Sequence, residues 1–211
     1  MQFKLNLNYL KALNCINAKK DVRYYLNGVF FEINSNGLYL VATDGHKLAL
    51  LHNHTIKSDE HIKAIMPREF IDQLSKNIDK KQLIADIAIV NDQFSINYKN
   101  NYYQVKAIDG TYPDYKRIFP ENVSGEFAHY NFEYLVDFNK CMRLLTDKGN
   151  AFQVMVEHNG SKAGIVDLLF QGHEWNSMGL IMPMKQENTS HYIKKPFWLD
   201  YKEPEALKEV A

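Results

Sequence analysis

An α+β fold built from a repeated β-α-β-β-β unit is what the sequence predicts, and three observations predict it. Short runs rich in β-branched and aromatic residues recur between turns of Asn, Asp, Gly and Lys. Amphipathic helical stripes precede each set of such runs. The three stripes open on one local signature: Tyr9-Leu10-x-x-Leu13, Phe70-Ile71-x-x-Leu74 and Tyr134-Leu135-x-x-Phe138.

Taken in order, Phe3 and Leu5 mark a short strand, and Leu10, Leu13 and Ile16 share the stripe of the helix after it. Strands at 29–33 and 38–43 are joined by Asn34-Ser35-Asn36-Gly37, whose Asn and Gly tolerate positive φ. Asp44-Gly45 turns the chain into a third strand at 46–51, which completes a meander. Polar residues 53–60 lead to the second unit, with a strand at 61–66 and Pro67 at a helix start. Phe70, Ile71, Leu74 and Ile78 form its stripe, and strands follow at 83–90, 94–98 and 102–108. The third unit begins near Phe127. Leu135, Phe138, Met142 and Leu145 give its helix, and 152–157, 163–170 and 178–182 its strands. One such unit cannot cover its own apolar sheet face, so pairs of units make the natural domain. Residues 1–120 are then a complete domain, 121–186 a half-domain and 187–211 a polar C-terminal tail. The unpaired third unit predicts a twofold contact with the same unit of another chain.

The composition excludes several classes. The 211 residues suffice for a proper core, and Lys+Arg and Asp+Glu both number 25, so no global basic field announces nucleic acid. A neutral total still permits charges segregated onto two faces. Cys15 and Cys141 lie far apart in helix-patterned segments, which predicts buried thiols in a reducing compartment and neither a disulfide nor a zinc framework. The first residues, MQFKLNLNYL, lack a basic leader, and no long apolar run follows, so the expectation is a soluble, cytoplasmic protein with no membrane partner.

Four stretches carry a family resemblance. DVRYYLNG (21–28) and ATDGHKLA (42–49), then DGTYPDYKRIFP (109–120) and GLIMPMK (179–185), resemble the bacterial sliding clamp, the DNA polymerase III beta subunit, and stand in that family's order. The first domain is similar to the family's middle domain, and the third unit to the closing half of its last domain. The resemblance implies a DNA-clamp-like fold and a non-enzymatic processivity or docking factor. Its partners would be peptide motifs of polymerases and clamp loaders, together with double-stranded DNA held without regard to sequence. A family ring has twelve units, so four chains of three units would equal one, and the implied assembly is a homo-oligomer, a tetramer by this count.

The resemblance also implies a peptide site with two walls. One is Leu26, Thr43, Gly45, His46, Lys47, Leu48, Pro113, Arg117 and Ile118, and the other is Leu180, Met182, Pro183, Met184 and Lys185. The residue types suit the task. Leu48, Ile118, Leu180 and Met182 offer apolar surface, Gly45 permits close backbone approach, and methionines adapt to different anchors. Any one of them alone reads as ordinary strand core or an ordinary turn; their joint match at both walls makes them a site. A second implied site is the loop around Lys19, where Lys20, Arg23, Tyr24 and Tyr25 interleave cations with flat rings, as suits contacts to phosphate and sugar. A solvated turn with two half-buried tyrosines is the alternative there. Lys76, Lys80, Lys81, Lys140 and Arg143 are further candidates, although a charge run on a helix is usually its wet face.

Catalysis finds little support, and no cofactor is implied. The sequence has no Walker-type glycine loop and no dinucleotide fingerprint. His52 and His54 would share a side of a strand without a third metal ligand nearby, and Asp44 beside His46 is explained by the turn. A rival to the clamp reading is a truncated decoy or adaptor that keeps the peptide groove without encircling DNA. Phe197-Trp198-Leu199 in the tail would seal the open edge of the third unit, the alternatives being docking into this protein's own pocket or a neighbour's.

Overall fold

The computed structural model describes residues 1–146, 153–170 and 174–185. The strand start expected at Phe152 and the whole tail from residue 187, with Phe197-Trp198-Leu199, lie outside the described residues.

Unit one comprises β1 (Gln2–Asn6), α1 (Leu7–Leu13), β2 (Gly28–Asn34), β3 (Gly37–Thr43) and β4 (Lys47–Asn53). β1 turns Phe3 and Leu5 inward and Gln2 and Lys4 outward, as the period of a half-buried strand requires. Asn6 ends it by capping α1, its side chain accepting the Asn8 N–H at 2.9 Å. Unit two repeats the order with β5 (Ile62–Pro67), α2 (Arg68–Ser75), β6 (Ile84–Val90), β7 (Gln93–Tyr98) and β8 (Asn101–Lys106). Pro67 is the N-cap of α2, where its missing N–H costs nothing. Unit three has α3 (Phe132–Thr146), β9 (Met155–Glu157), β10 (Gly164–Asp167) and β11 (Trp175–Ile181).

The strands form two antiparallel sheets, one in the order β1-β6-β7-β8 and the other β5-β2-β3-β4-β11-β10-β9. Units one and two exchange their leading strands: β1 pairs with β6 of unit two, and β5 pairs with β2 of unit one. The sheets face each other across a shared core in which the rings of Phe31 and Phe94 meet at 5.0 Å, with Leu10 and Leu13 of α1 and Ile71 and Leu74 of α2 packed into it. Phe138, Cys141, Met142 and Leu145 of α3 join the same core.

The observed architecture is α+β with antiparallel sheets, as the sequence predicts, and differs from expectation at three places. α1 stops at Leu13, so Cys15 and Ile16 follow it in a turn. The cause is Arg68, whose guanidinium donates to the carbonyls of Asn14 at 2.8 Å and Asn17 at 3.3 Å and to the Asn17 side chain, satisfying groups a longer helix would have used. Ile16 is buried all the same. Residues 123–131 form no ladder; an N–H···O bond from Met184 to His129, at 2.8 Å, holds the segment where a leading strand was expected. Finally, unit three does not stand apart from its own chain. β11 runs antiparallel to β4 over seven residue pairs, from Trp175 opposite Asn53 to Ile181 opposite Lys47. Gly179 permits this seating, because a Cβ there would lie 2.9 Å from the Phe138 ring.

Candidate peptide-docking groove

The β4–β11 ladder brings the two predicted walls together. Leu48 and Leu180 are register partners, as are Thr43 and Leu48 one strand over, and the Met182 N–H donates to the His46 carbonyl at 2.8 Å. Strand parity sends Phe30, Val41, Leu48 and Leu180 to the outer face of the sheet, where with Leu26, Tyr112 and Tyr115 they form an apolar cluster distinct from the main core. Leu26 arrives from the 3₁₀ turn Tyr24–Leu26, and its carbonyl accepts the Ala18 N–H at 3.2 Å. Tyr112 stacks flat on Phe30 at 4.5 Å. The loop bearing Tyr112 and Tyr115 carries Pro113, Arg117 and Ile118 on its exposed side, with Arg117 paired to Asp114 at 2.8 Å.

The segments that border this cluster also carry apolar side chains open to solvent: Ile118 is 50% exposed, Met182 41% and Met184 55%. Pro183 is half-buried, and Lys185 and His46 are exposed. The Asp44-Gly45 turn is built from side chains. Asp44 accepts the N–H groups of His46 and Lys47, each at 2.9 Å, and the Thr43 hydroxyl donates to the Lys47 carbonyl at 2.7 Å while accepting the Gly45 N–H at 3.0 Å. Gly45 has φ +92°, which favours glycine, and a Cβ there would also displace the Arg23 guanidinium, 2.9 Å away at both terminal nitrogens.

Tyr134, absent from the predicted walls, is partly buried against the main core and also reaches a predicted wall residue. Its ring stacks on His46 at 5.7 Å from the first turn of α3. The signal was present, since Tyr134 opens the repeated helix signature, but its counterpart Tyr9 is packed between Phe170 at 5.1 Å and Trp175 at 4.9 Å, and the shared pattern reads as core. Lys47 differs from the other charged wall residues, Arg117 and Lys185, because its side chain is only 6% exposed and its ammonium is held by Asp44 and by Asp137 at 3.3 Å.

The second predicted site is partly joined to the first. Lys20 is exposed and sits at φ 58°, and Tyr24 is 55% exposed with its ring edge-on to Tyr25 at 5.7 Å. Arg23 is committed elsewhere: it pairs with Asp21 at 2.8 and 3.0 Å and donates to the Asp44 carbonyl at 3.1 Å, which puts it at the edge of the groove. The Arg23 side-chain and backbone hydrogen bonds hold the Asp21 carboxyl down at about 2. Behind the Tyr112 loop lies a cavity of about 730 Å³ lined by Phe30, Glu32, Ile65 and residues 106–116; of the predicted residues only Pro113 lines it. Glu32 is buried there and accepts from the Tyr115 hydroxyl at 2.6 Å, Lys116 at 3.1 Å and, through its other neighbour His61, a ring contact at 2.9 Å. Burial pushes the Glu32 carboxyl up, but the three hydrogen bonds together outweigh it and leave it lowered. His52 stacks on Tyr39 at 4.4 Å, and among the described residues no group of three His, Cys, Asp or Glu is placed to hold a metal ion.

This arrangement, an apolar strip crossed by a strand junction and set in a repeated β-α-β-β-β frame, defines a clamp-type α+β protein. The family model for the DNA polymerase III beta subunit, central domain, matches residues 7–114, just over half of the sequence. The chain belongs to the DNA polymerase III beta subunit family. The beta sliding clamp of Haemophilus influenzae is 29% identical over 169 residues, which are 74% of this chain and 46% of that protein. That of Vibrio cholerae is 30% identical over 145 residues, covering 69% of this chain and 40% of the relative. The chain therefore spans about half or less of the length of these relatives. Among solved structures, a DNA polymerase sliding clamp from Pseudomonas aeruginosa superposes with a TM-score of 0.68 at 21% identity, covering 88% of this chain and 66% of that one. The Bacillus subtilis clamp gives 0.64 at 18%, covering 89% and 65%. These likenesses establish the fold.

Proposed function

We propose that the chain is a sliding-clamp-like docking factor of DNA replication, whose groove takes up short peptide motifs of polymerases and clamp loaders. The observation carrying this reading is the meeting of two distant segments on one surface, with Leu48 opposite Leu180 and the Met182 N–H bonded to the His46 carbonyl. A clamp from Pseudomonas aeruginosa with the same fold has been solved bound to griselimycin, so a clamp of this kind accepts a ligand. Each leucine or phenylalanine anchor buried on the strip is worth about 1.5–3 kcal/mol, and two or three support roughly micromolar binding once ordering costs are met. Anisotropy of a labelled peptide bearing leucine and phenylalanine tests this. The double variant Leu48→Ala with Met182→Ala should weaken binding, and unchanged affinity refutes the groove.

Encircling of duplex DNA by a homo-oligomer is the second part of the proposal, with the tetramer as the assembly that equals a ring in units. Lys19, Lys20 and Tyr24 are exposed loop side chains that could meet a duplex. The mass in solution, with and without primed circular DNA, tests it, and a monomer at high concentration rules it out. A decoy or adaptor that grips the same tails is the reading favoured if no ring forms, and the observation behind it is that both groove walls meet within a single chain. A ring is retained on closed circular DNA and lost when the circle is cut, whereas a decoy shows no such dependence.

A further inference from the structure

Lys47 lies among the wall residues in the sequence, yet it is built into the protein differently from its neighbours. We infer that Lys47 is a positioning residue, a latch that ties the start of helix α3 of unit three to the Asp44-Gly45 turn of unit one and so sets the placement of Tyr134 against the wall residue His46, without touching the peptide. This deepens the groove reading and rests on it.

The geometry has three parts. First, strand parity turns Lys47 to the inner side of the sheet, since it alternates with Leu48, which faces outward; its side chain is 6% exposed, while His46 before it is open to solvent. Second, its ammonium sits between two carboxylates from different units. One is Asp44 of the turn, and the other is Asp137 of α3 at 3.3 Å, whose second oxygen accepts from Lys140 at 3.1 Å. A cation shared by two acidic groups on separate elements ties those elements together, because withdrawing either one leaves a shielded charge short of a partner. Third, the same ammonium lies 5.1 Å from the centroid of the Tyr134 ring, one turn before Asp137 on α3, and the opposing contact of that ring is His46 at 5.7 Å.

The β4–β11 ladder and the core packing of Phe138, Cys141, Met142 and Leu145 already seat the body of α3. Its first turn, which carries Tyr134, lies ahead of those core residues. Lys47 adds a tie between that end of the helix and the Asp44-Gly45 turn. Asp44 and Asp137 face two of the three donors of this ammonium, and with its side chain only 6% exposed it is poorly placed to meet an incoming carboxylate.

The test uses the full chain and the labelled leucine- and phenylalanine-bearing peptide. Lys47→Met keeps the stem and removes the charge; Asp137→Asn keeps the shape at the far end of the latch. Each should weaken the peptide roughly tenfold, the pair together should be no worse than either alone, and Lys47→Arg should restore most of the loss. If Lys47 instead met the peptide directly, Lys47→Met would lose affinity while Asp137→Asn bound normally, and that result overturns the inference. Amide hydrogen exchange gives a readout that does not need the peptide. Both variants should raise exchange along α3 while α2 keeps its protection. Faster exchange in α3 with no peptide bound even by the unaltered chain would sink the groove and leave the latch standing; α3 protection unchanged relative to α2 refutes the latch itself.

Discussion

Gly179 is where unit three is seated, and replacing it with alanine is the sharpest test of how that seat is made. The added methyl would lie 2.9 Å from Phe138 Cε1, 3.0 Å from Val166 Cβ and 3.3 Å from Leu168 Cδ2. Comfortable carbon contacts fall at about 3.5–4.0 Å, so the first two overlap by roughly half an ångström. Escape is blocked in every direction. Phe138, Val166 and Leu168 are fully buried, and β11 is bonded to β4 on one side and β10 on the other. Overpacking of this kind costs about 1–3 kcal/mol, and the smaller unfolded-state entropy of alanine offsets about 0.4–1 kcal/mol of it. A net loss of about 1–2 kcal/mol corresponds to a fall of roughly 2–8 °C in Tm for a chain of this size. Urea denaturation followed by circular dichroism measures it directly. Phe138→Leu alone should destabilise by leaving a void, but in the Gly179→Ala background it should cost nothing or help, giving a coupling of about 1 kcal/mol. Additive effects in the double variant, or an alanine variant as stable as the parent, would show that the close seating of α3 on β11 has been misjudged. Peptide affinity should fall in the same variant, because Leu180 and Met182 follow Gly179 along the chain.

Other consequences can be checked with single substitutions. Glu32 has a folded-state value below its ordinary 4.5, so its contribution is whole above that pH and drains away as the pH falls through the lowered value; Glu32→Gln should flatten this acid limb of the stability curve and cost about 1.5–3 kcal/mol at pH 7 by denaturant titration. The Tyr130 hydroxyl is buried without a hydrogen-bond partner among the described residues, so Tyr130→Phe should leave the protein as stable or raise it by about 1 kcal/mol in a thermal melt. Arg68→Met should destabilise by about 1.5–3 kcal/mol, with faster amide exchange at the end of α1, because the carbonyls of Asn14 and Asn17 lose their charged donor.

The repeat was legible because strands and helices have different periods, and turns such as Asn91-Asp92 and Lys99-Asn100 declare themselves; Asn91, Asp92 and Lys99 all take positive φ. Most strand limits fell within two residues of those observed. The end of α1 was not legible, because Ile16 continues the apolar stripe and the residue that stops the helix, Arg68, lies more than fifty positions away. The same holds for residues 123–131, where strand-like residues meet no neighbouring strand; side-chain pattern reports burial, whereas a ladder needs a second backbone. In the groove, Leu48 and Leu180 could be placed on facing walls through the resemblance. Tyr134 could not, because an aromatic at the head of a helix stripe signals packing whether it packs inside or stands at a rim. Lys47 shows the converse: the resemblance places it in a wall, and nothing in the sequence announces that Asp44 and Asp137 hold its ammonium. Arg23, grouped by sequence with a basic loop, is turned by Asp21 and the Asp44 carbonyl toward the other site.

The traded strands of units one and two make those units a clasp that neither half can fasten by itself. While the protein is being synthesised, the β2 edge stays bare until β5 has left the ribosome, and β1 has nothing to bond to until β6 follows, so the clasp closes in two steps with β1 last. The same clasp should tolerate a nick in the polar connection at 54–60, since each fragment would carry a strand that only the other can accommodate. Two pieces cut there and mixed should find each other and rebuild both sheets.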